Sequence, residues 1–191
     1  MQIILASTSP YRRALLERLR QDFIHEAPQV DETPRSGETP QTLVRRLARA
    51  KAQAVAARHP DSIVIGSDQV AALDGVILGK PGSHERAVEQ LTALSGHDAI
   101  FFTGLCVFDT HTQQYQEHMD QTRVRFRTLN THGIERYLQT EQPYNCAGSF
   151  KSEGLGISLL ESIESQDPTA LIGLPLIALC RFLREASVVL P

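Results

Sequence analysis

The stretch IILASTSPYRR at residues 3–13 decides the fold, because it predicts a buried strand that turns directly into a helix. Its first four residues form an apolar run that is typical of a buried strand. Ser9 then has the side chain of a good N-cap, and Pro10 suits the first helical position, where no backbone N–H is needed. The stretch therefore predicts the first strand–helix unit of an α/β protein.

Strands and helices alternate along the rest of the chain. We expect helices over residues 41–58, 83–94, 131–139 and 174–184, and strands over residues 23–27, 63–65, 100–108 and 122–126. Asp74-Gly75 lies between two apolar runs and predicts a two-residue hairpin turn. This interleaving predicts an α/β fold, with residues 1–191 as a single domain, and it leaves the order of the strands open.

The composition argues against several classes of protein. Hydrophobic residues make up 41% of the chain and charged residues 21%, which predicts a globule. No apolar run reaches the roughly eighteen residues of a membrane span, so we expect no membrane association. A net charge of −3 argues against a broad nucleic-acid surface. Three scattered cysteines argue against a disulfide framework, and we expect a reducing, cytoplasmic location.

The turn after the first predicted strand is a candidate anion site. A helix N-terminus offers unpaired N–H groups and the positive end of its dipole. Three hydroxyl side chains, among them Ser7, precede Arg12 and Arg13 here. Arginine binds phosphate in a bidentate manner, with two N–H groups donating to two oxygens. An ordinary cap followed by solvated arginines explains the same residues about as well. The position directly after a strand of an α/β sheet favours the ligand site.

A second candidate, residues 75–81, looks like a P-loop and fails on inspection. One spacer residue is missing, and Pro81 replaces the hydroxyl that would hold magnesium. Lys80 still has the charge to contact a phosphate, although the residue taken by itself is better explained as a surface lysine after a hairpin.

Four carboxylates are placed where chemistry would use them. Asp68 ends a strongly apolar strand, where a carboxylate is costly unless it is used or paired. Asp31-Glu32 lies in a polar loop, and Glu153 lies in the glycine-rich stretch 147–156, which lets the backbone approach a ligand closely. Magnesium needs only one or two carboxylates plus substrate phosphates, so no dense motif is required. No His or Cys pair has zinc spacing.

Taken in order, these motifs resemble the Maf family of nucleotide pyrophosphatases. The resemblance runs nearly end to end and consists of short segments in register, at residues 5–13, 30–32, 51, 66–69, 78–81, 147–150 and 173–176. It implies an elongated, Maf/ITPase-like α/β fold with a mixed, bent sheet and two lobes around a central cleft. It also implies a possible homodimer, since members of the family often form dimers.

The resemblance further implies a reaction and a set of site residues. The reaction is hydrolysis of a nucleoside triphosphate between its α- and β-phosphates, with release of pyrophosphate. Asp68 would be the general base, and Glu32 with Asp68 would hold a divalent cation, Mg²⁺ or Mn²⁺. The phosphates would be bound by Ser7, Arg12, Arg13, Lys51 and Lys80.

Three residues are similar to the branch of this family that hydrolyses 7-methyl-GTP, namely Tyr11, Gln69 and Glu153. The dTTP/UTP branch has other residues at these positions. N7-methylguanine carries a positive charge, which an aromatic face attracts and a carboxylate balances. One departure is the turn before Asp167, where Ser165-Gln166 replaces the glycine common in the family.

Two other functions remain open from the sequence. The first is a pyrophosphatase for dTTP or UTP, which Tyr11, Gln69 and Glu153 argue against. The second is a nucleotide-binding regulator of cell division without productive hydrolysis, which the presence of every proposed catalytic residue argues against. A nucleic-acid-binding module ranks behind both.

Overall fold

The computed structural model describes residues 1–191 and contains seven strands and five α-helices. The strands are β1 (Gln2–Leu5), β2 (Phe23–His25), β3 (Ser62–Leu73), β4 (Val76–Leu78), β5 (Asp98–Asp109), β6 (Gln114–Phe126) and β7 (Leu160–Glu164). The helices are α1 (Pro10–Glu17), α2 (Pro40–Ala56), α3 (His84–Leu94), α4 (Thr131–Glu141) and α5 (Leu176–Glu185). Short 3₁₀ turns cover Ala147–Ser149, Leu155–Leu159 and Ala170–Ile172.

The seven strands form one mixed sheet. Its order is β2-β1-β3-β5-β6-β7, with β4 paired to β3 outside this path. Strand β1 runs parallel to both β2 and β3, whereas β4 is antiparallel to β3 and β7 is antiparallel to β6. The prediction of an α/β fold with a mixed sheet is confirmed. None of the helices is long and apolar enough to span a membrane.

The chain divides into two compact units. The first contains residues 1–68, 103–120 and 167–191, and the second contains residues 69–102 and 121–166. This division describes packing, and the prediction of a single domain over residues 1–191 stays a prediction.

Both faces of the sheet are covered in the first unit. Ile3, Leu5 and Ile65 pack in one cluster with Leu15 of α1 and Leu179 of α5. The intervening residues point to the other face and pack in a second cluster with α2, namely Ile4, Ala6 and Val64. Successive side chains of a strand alternate between faces, and parallel strands covered on both sides are apolar throughout. This explains why residues 3–6 are an unbroken apolar run.

Helix α2 approaches the sheet closely at two glycines. A Cβ atom on Gly66 would lie 2.1 Å from the Ala48 carbonyl oxygen, and one on Gly104 would lie 2.4 Å from that of Val44. Any larger residue at either position would have to displace the helix backbone. The two glycines therefore set the distance between α2 and strands β3 and β5.

The second unit packs α3 and α4 with an aromatic cluster. The Phe150 ring lies 5.8 Å from that of Phe101 and 5.5 Å from that of Phe126, in tilted and edge-on arrangements. Such offset geometries are the favoured ones for aromatic pairs. Tyr137 and Leu138 of α4 and Leu91 of α3 are buried in the same unit.

The helix starts agree well with the sequence. Ser9, Ser83 and Asn130 each accept a hydrogen bond from a backbone N–H in the first turn, as N-caps do. Strands β3, β5 and β6 are longer than predicted, so that Asp68 lies within β3 and not at its end. Strand β7 was not predicted at all. Its side chains are mostly exposed, so no apolar alternation marks it in the sequence.

Glu38 ties the loop before α2 to the helix itself. Its carboxylate accepts hydrogen bonds from Arg46 Nε at 2.6 Å and Nη2 at 2.8 Å, and from the Arg35 N–H at 2.9 Å. The Arg46 hydrogen bonds, followed by that of Arg35, lower the pKa of Glu38 from 4.5 to about 2.

We expect Glu38 to make the protein sensitive to acid. Because its pKa is lower in the folded chain, its stabilisation is complete above pH 4.5 and is lost as the pH falls toward about 2. The urea concentration at the midpoint of unfolding should therefore fall less in Glu38→Gln than in wild type as the pH is lowered from 4.5 to about 2. Glu17→Gln, which removes an exposed pair with Arg13 on α1, controls for the loss of one charge. Parallel declines in wild type and Glu38→Gln would contradict the assignment.

Candidate functional site

A buried lysine joins two carboxylates at the centre of the first unit. Lys51 Nζ lies 2.7 Å from Asp68 Oδ1 and 2.8 Å from Glu32 Oε1. The Lys51 and Asp68 side chains are almost completely buried, whereas half of the Glu32 side chain is exposed. One ammonium thus neutralises a buried acid and holds a second acid from a neighbouring loop.

The close approach of α2 to β3 explains this pair. Ala52, the residue after Lys51, has its backbone nitrogen only 2.7 Å from the place where a Cβ of Gly66 would lie. Asp68 follows two residues after Gly66 on the same strand and therefore points to the same face of the sheet. Its carboxylate can reach the lysine because no side chain separates helix and strand at residue 66.

The turn after β1 begins where β1 and β3 stop pairing. Ser7 is buried, and its hydroxyl oxygen accepts a hydrogen bond from the Ser9 N–H at 3.1 Å. The Ser9 hydroxyl in turn accepts from the Arg12 N–H at 3.4 Å, a long bond that caps α1. Strands β1 and β3 are parallel, and their pairing ends at Leu5 and Ile65. This turn and Asp68 therefore both lie beyond the carboxyl end of that pairing, where ligands bind in α/β sheets.

Arg12 is held beside the carboxylates by one of its nitrogens. Its Nε donates to the Gly173 carbonyl oxygen at 2.9 Å. Burial lowers the pKa of Arg12 from its ordinary value, while the negative charges of Asp68 and Glu32 raise it. An arginine starts from so high a pKa that it remains a cation here. Its side chain therefore adds a second positive charge to the cluster.

Arg12 depends on a loop that the sequence did not single out as functional. The Gly173 carbonyl also accepts from the buried Ser67 hydroxyl at 2.9 Å. Asp167 shapes this loop, because its carboxylate accepts from the N–H groups of Thr169 at 2.9 Å and Ile177 at 2.7 Å. The buried aspartate thereby caps the start of α5, which has no capping side chain at Pro175. The structural role of Asp167 is evident only from its burial, which the sequence does not reveal.

The structure does not bring every predicted site residue into this cluster. Ser7, Arg12, Glu32, Lys51 and Asp68 belong to the first unit, and Lys51 joins Glu32 to Asp68. Arg13 and Tyr11 are also on α1. The Arg13 Nε lies 3.0 Å from Glu17 Oε1 in an exposed ion pair, and the Tyr11 side chain is half-buried.

The remaining predicted residues belong to the second unit, namely Lys80, Gln69 and Glu153. Lys80 is exposed directly after β4, and Gln69 is half-buried in β3. Glu153 is exposed in the turn before the 3₁₀ segment Leu155–Leu159, and its Oε2 accepts from the Ser152 hydroxyl at 3.2 Å.

Glu32 and Asp68 fit the ligand preference of a small divalent cation. Both offer carboxylate oxygens, which Mg²⁺ prefers, and both already share one cation, the ammonium of Lys51. The chain has no group of three or more His, Cys, Asp or Glu side chains placed to hold a metal. A cation held here would take its other ligands from substrate phosphates and water, as magnesium commonly does.

The fold and this cluster define an α/β protein suited to a phosphorylated ligand. Comparison with known families agrees, because a family model described as Maf-like protein matches residues 2–186. The chain belongs to this family.

Several relatives match over almost their whole length. The proteins of Albidiferax ferrireducens and Xanthomonas axonopodis pv. citri are both 56% identical, over 98% and 100% of this chain and 94% and 99% of their own. That of Alcanivorax borkumensis is 52% identical over 99% of this chain and 96% of its own. All three are named 7-methyl-GTP pyrophosphatase. The Staphylococcus aureus Ham1 protein aligns at 18% identity over 66% of this chain and 72% of its own, with a TM-score of 0.47.

Proposed function

We propose that this protein hydrolyses 7-methyl-GTP to 7-methyl-GMP and pyrophosphate. The observation that carries the chemistry is the Asp68 carboxylate, buried beside Lys51 and within the electrostatic reach of Arg12. The choice of substrate is supported by near-full-length relatives of 52–56% identity that carry the name of this activity. Removal of modified nucleotides from the pool would be its role.

Asp68 acts in this proposal as the general base. It takes the proton from a water molecule that attacks the α-phosphorus atom, and pyrophosphate leaves with the bond electrons. A bound Mg²⁺ or Mn²⁺, held by Glu32 and Asp68, would polarise the phosphates and neutralise part of their charge. Lys51 orients both carboxylates, so that they can hold a cation and accept a proton.

The cationic side chains bind the triphosphate. Arg12, Arg13, Lys51 and Lys80 neutralise the charge that develops on the departing pyrophosphate, and Ser7 adds a hydroxyl donor. Arg12 is well suited to this because its Nε is already occupied by Gly173. Its terminal nitrogens remain to form the paired contacts that phosphate oxygens favour.

Tyr11, Gln69 and Glu153 recognise the base in this proposal. The positive charge of N7-methylguanine is attracted by the Tyr11 ring and balanced by the Glu153 carboxylate, which also accepts from guanine N–H groups. A neutral pyrimidine gains neither interaction. The selectivity of the enzyme would therefore follow the charge of the base.

We expect Glu153→Gln to weaken turnover of 7-methyl-GTP more than that of UTP. Glutamine keeps the shape of the side chain but removes the charge that balances the methylated ring, so kcat/KM for 7-methyl-GTP should fall by about tenfold relative to UTP. Steady-state kinetics on both nucleotides measure this ratio. Equal losses on the two substrates would remove Glu153 from base recognition.

A panel of nucleotides tests the function itself. Purified protein is incubated with 7-methyl-GTP, GTP, dTTP and UTP, with and without Mg²⁺ or Mn²⁺, and the products are separated by chromatography. Fastest metal-dependent release of pyrophosphate from 7-methyl-GTP is the expected result. Preference for dTTP or UTP would favour the pyrimidine pyrophosphatase, and tight binding without product would favour a regulator of cell division. A homodimer and a cytoplasmic location remain part of the proposal.

A further inference from the structure

One carboxylate of the second unit closes the turn that contains Glu153. Glu141, the last residue of α4, accepts hydrogen bonds from Lys151 Nζ at 2.6 Å through Oε1 and from the Leu155 N–H at 2.7 Å through Oε2. The two donors lie two residues before and two residues after Glu153. Each oxygen of one carboxylate therefore holds one end of a five-residue turn.

The same turn is fitted closely around this carboxylate. A Cβ on Gly154 would lie 2.5 Å from Glu141 Oε2, so the backbone next to Glu153 packs directly on the carboxyl group. The Tyr137 hydroxyl, one turn earlier on α4, accepts from the Lys151 N–H at 3.1 Å. The Glu141 side chain is only 13% exposed. Helix α4 thus contacts the turn at Lys151, Gly154 and Leu155.

Glu153 itself has little else to fix its direction. It is exposed, and its carboxylate is contacted by the adjacent Ser152 hydroxyl. The first four residues of the turn, 151–154, lie between Phe150 and the 3₁₀ segment Leu155–Leu159, outside any helix or strand. The orientation of the Glu153 side chain is therefore set by the backbone of residues 151–155, and Glu141 holds that backbone in place.

We propose that Glu141 is a positioning residue for substrate selection, which acts by holding the turn 151–155 so that Glu153 faces the methylated base. This inference rests on the proposed function, in which Glu153 recognises the base. Glu141 itself touches no substrate in the proposal. It restricts the conformations of Glu153, so binding does not have to order that carboxylate.

Hydrogen exchange tests the positioning without any substrate. In Glu141→Ala, the Leu155 amide loses its acceptor, and exchange of the segment 151–157 should become at least about tenfold faster. The matched control is Glu135→Ala, which removes another carboxylate of α4, one that pairs with His84 at 2.9 Å. Unchanged exchange at 151–157 in Glu141→Ala would overturn the positioning role whatever the substrate is.

Steady-state kinetics then test whether Glu141 affects the choice between 7-methyl-GTP and UTP. Glu141→Ala should lower the ratio of kcat/KM for 7-methyl-GTP to that for UTP by about five- to tenfold, mainly through a higher KM for 7-methyl-GTP. Glu141→Gln keeps one oxygen acceptor, so its ratio of kcat/KM values should lie between those of Glu141→Ala and wild type. Glu135→Ala should leave the ratio at the wild-type value.

A double variant separates this inference from the proposed function. If Glu141 acts through Glu153, adding Glu141→Ala to Glu153→Gln should change the ratio no further, because the carboxylate to be positioned is already absent. Additive losses would show that Glu141 affects selection by another route and would overturn the inference. If Glu153→Gln alone leaves the ratio unchanged, the proposed base recognition fails, while the exchange result still decides whether Glu141 holds the turn.

Discussion

Asp68→Asn should lower kcat for 7-methyl-GTP by about 10²–10⁴-fold, the usual contribution of a general base. An asparagine amide has the same shape as the carboxylate but cannot take a proton from water at neutral pH. The fold should survive, because the substitution replaces a charged acceptor with a neutral one while Lys51 keeps its contact with Glu32 at 2.8 Å. Pyrophosphate release and circular dichroism measure the two effects.

The control for this substitution is Asp109→Asn. Asp109 belongs to the same unit and ends β5, and its Oδ1 accepts from the His111 N–H at 2.8 Å within a turn. Its replacement removes one negative charge without touching the Lys51 cluster and should leave the rate close to wild type. A folded Asp68→Asn protein with a near wild-type rate would show that another group accepts the proton.

Lys51→Met should reduce both stability and turnover. The Asp68 carboxylate is buried, and removing one partner of a buried ion pair leaves a charge without compensation. We expect the free energy of unfolding to fall by about 3 kcal/mol, the lower end of the range for such changes, because the positive charge of Arg12 still acts on Asp68. Urea denaturation measures this loss, and the rate should fall because Asp68 and Glu32 lose their shared cation.

Two further variants make this test specific. Lys51→Met combined with Asp68→Asn removes both charges and should be more stable than Lys51→Met alone, which a double-mutant cycle detects. Arg13→Met breaks an exposed pair with Glu17 and should change stability by less than about 1 kcal/mol. Equal losses for Lys51→Met and Arg13→Met would mean that the buried pair contributes no more than a surface pair.

The fold was predictable where local signals are strong. The apolar run at residues 3–6, the cap Ser9 and the Asp74-Gly75 turn each led to the correct element, because propensity and burial agree there. Strand β7 was missed because its side chains are mostly exposed, so that its pairing with β6 defines it and no apolar alternation marks it. The order of strands depends on which loops cross the sheet, which a single sequence does not encode locally.

The site was predictable by residue type and less so by contact. The position of Asp68 after an apolar run predicted that the carboxylate is used or paired, and the structure pairs it with Lys51, although β3 continues past it to Leu73. The roles of Gly173 and Asp167 could not be predicted, since they depend on backbone atoms that meet Arg12 and α5 only after folding. Glu141 likewise lies ten or more residues from the two donors that it binds.

The absence of side chains at Gly66 and Gly104 limits which substitutions the protein can tolerate. They hold α2 against the sheet, and Lys51 reaches Asp68 from that helix. A single methyl group added at residue 66 would push α2 away from the sheet and so move the Lys51 ammonium away from Asp68, although residue 66 is neither partner of the ion pair. Mutational tolerance at these two positions should therefore be as low as at the charged residues themselves, for a purely mechanical reason.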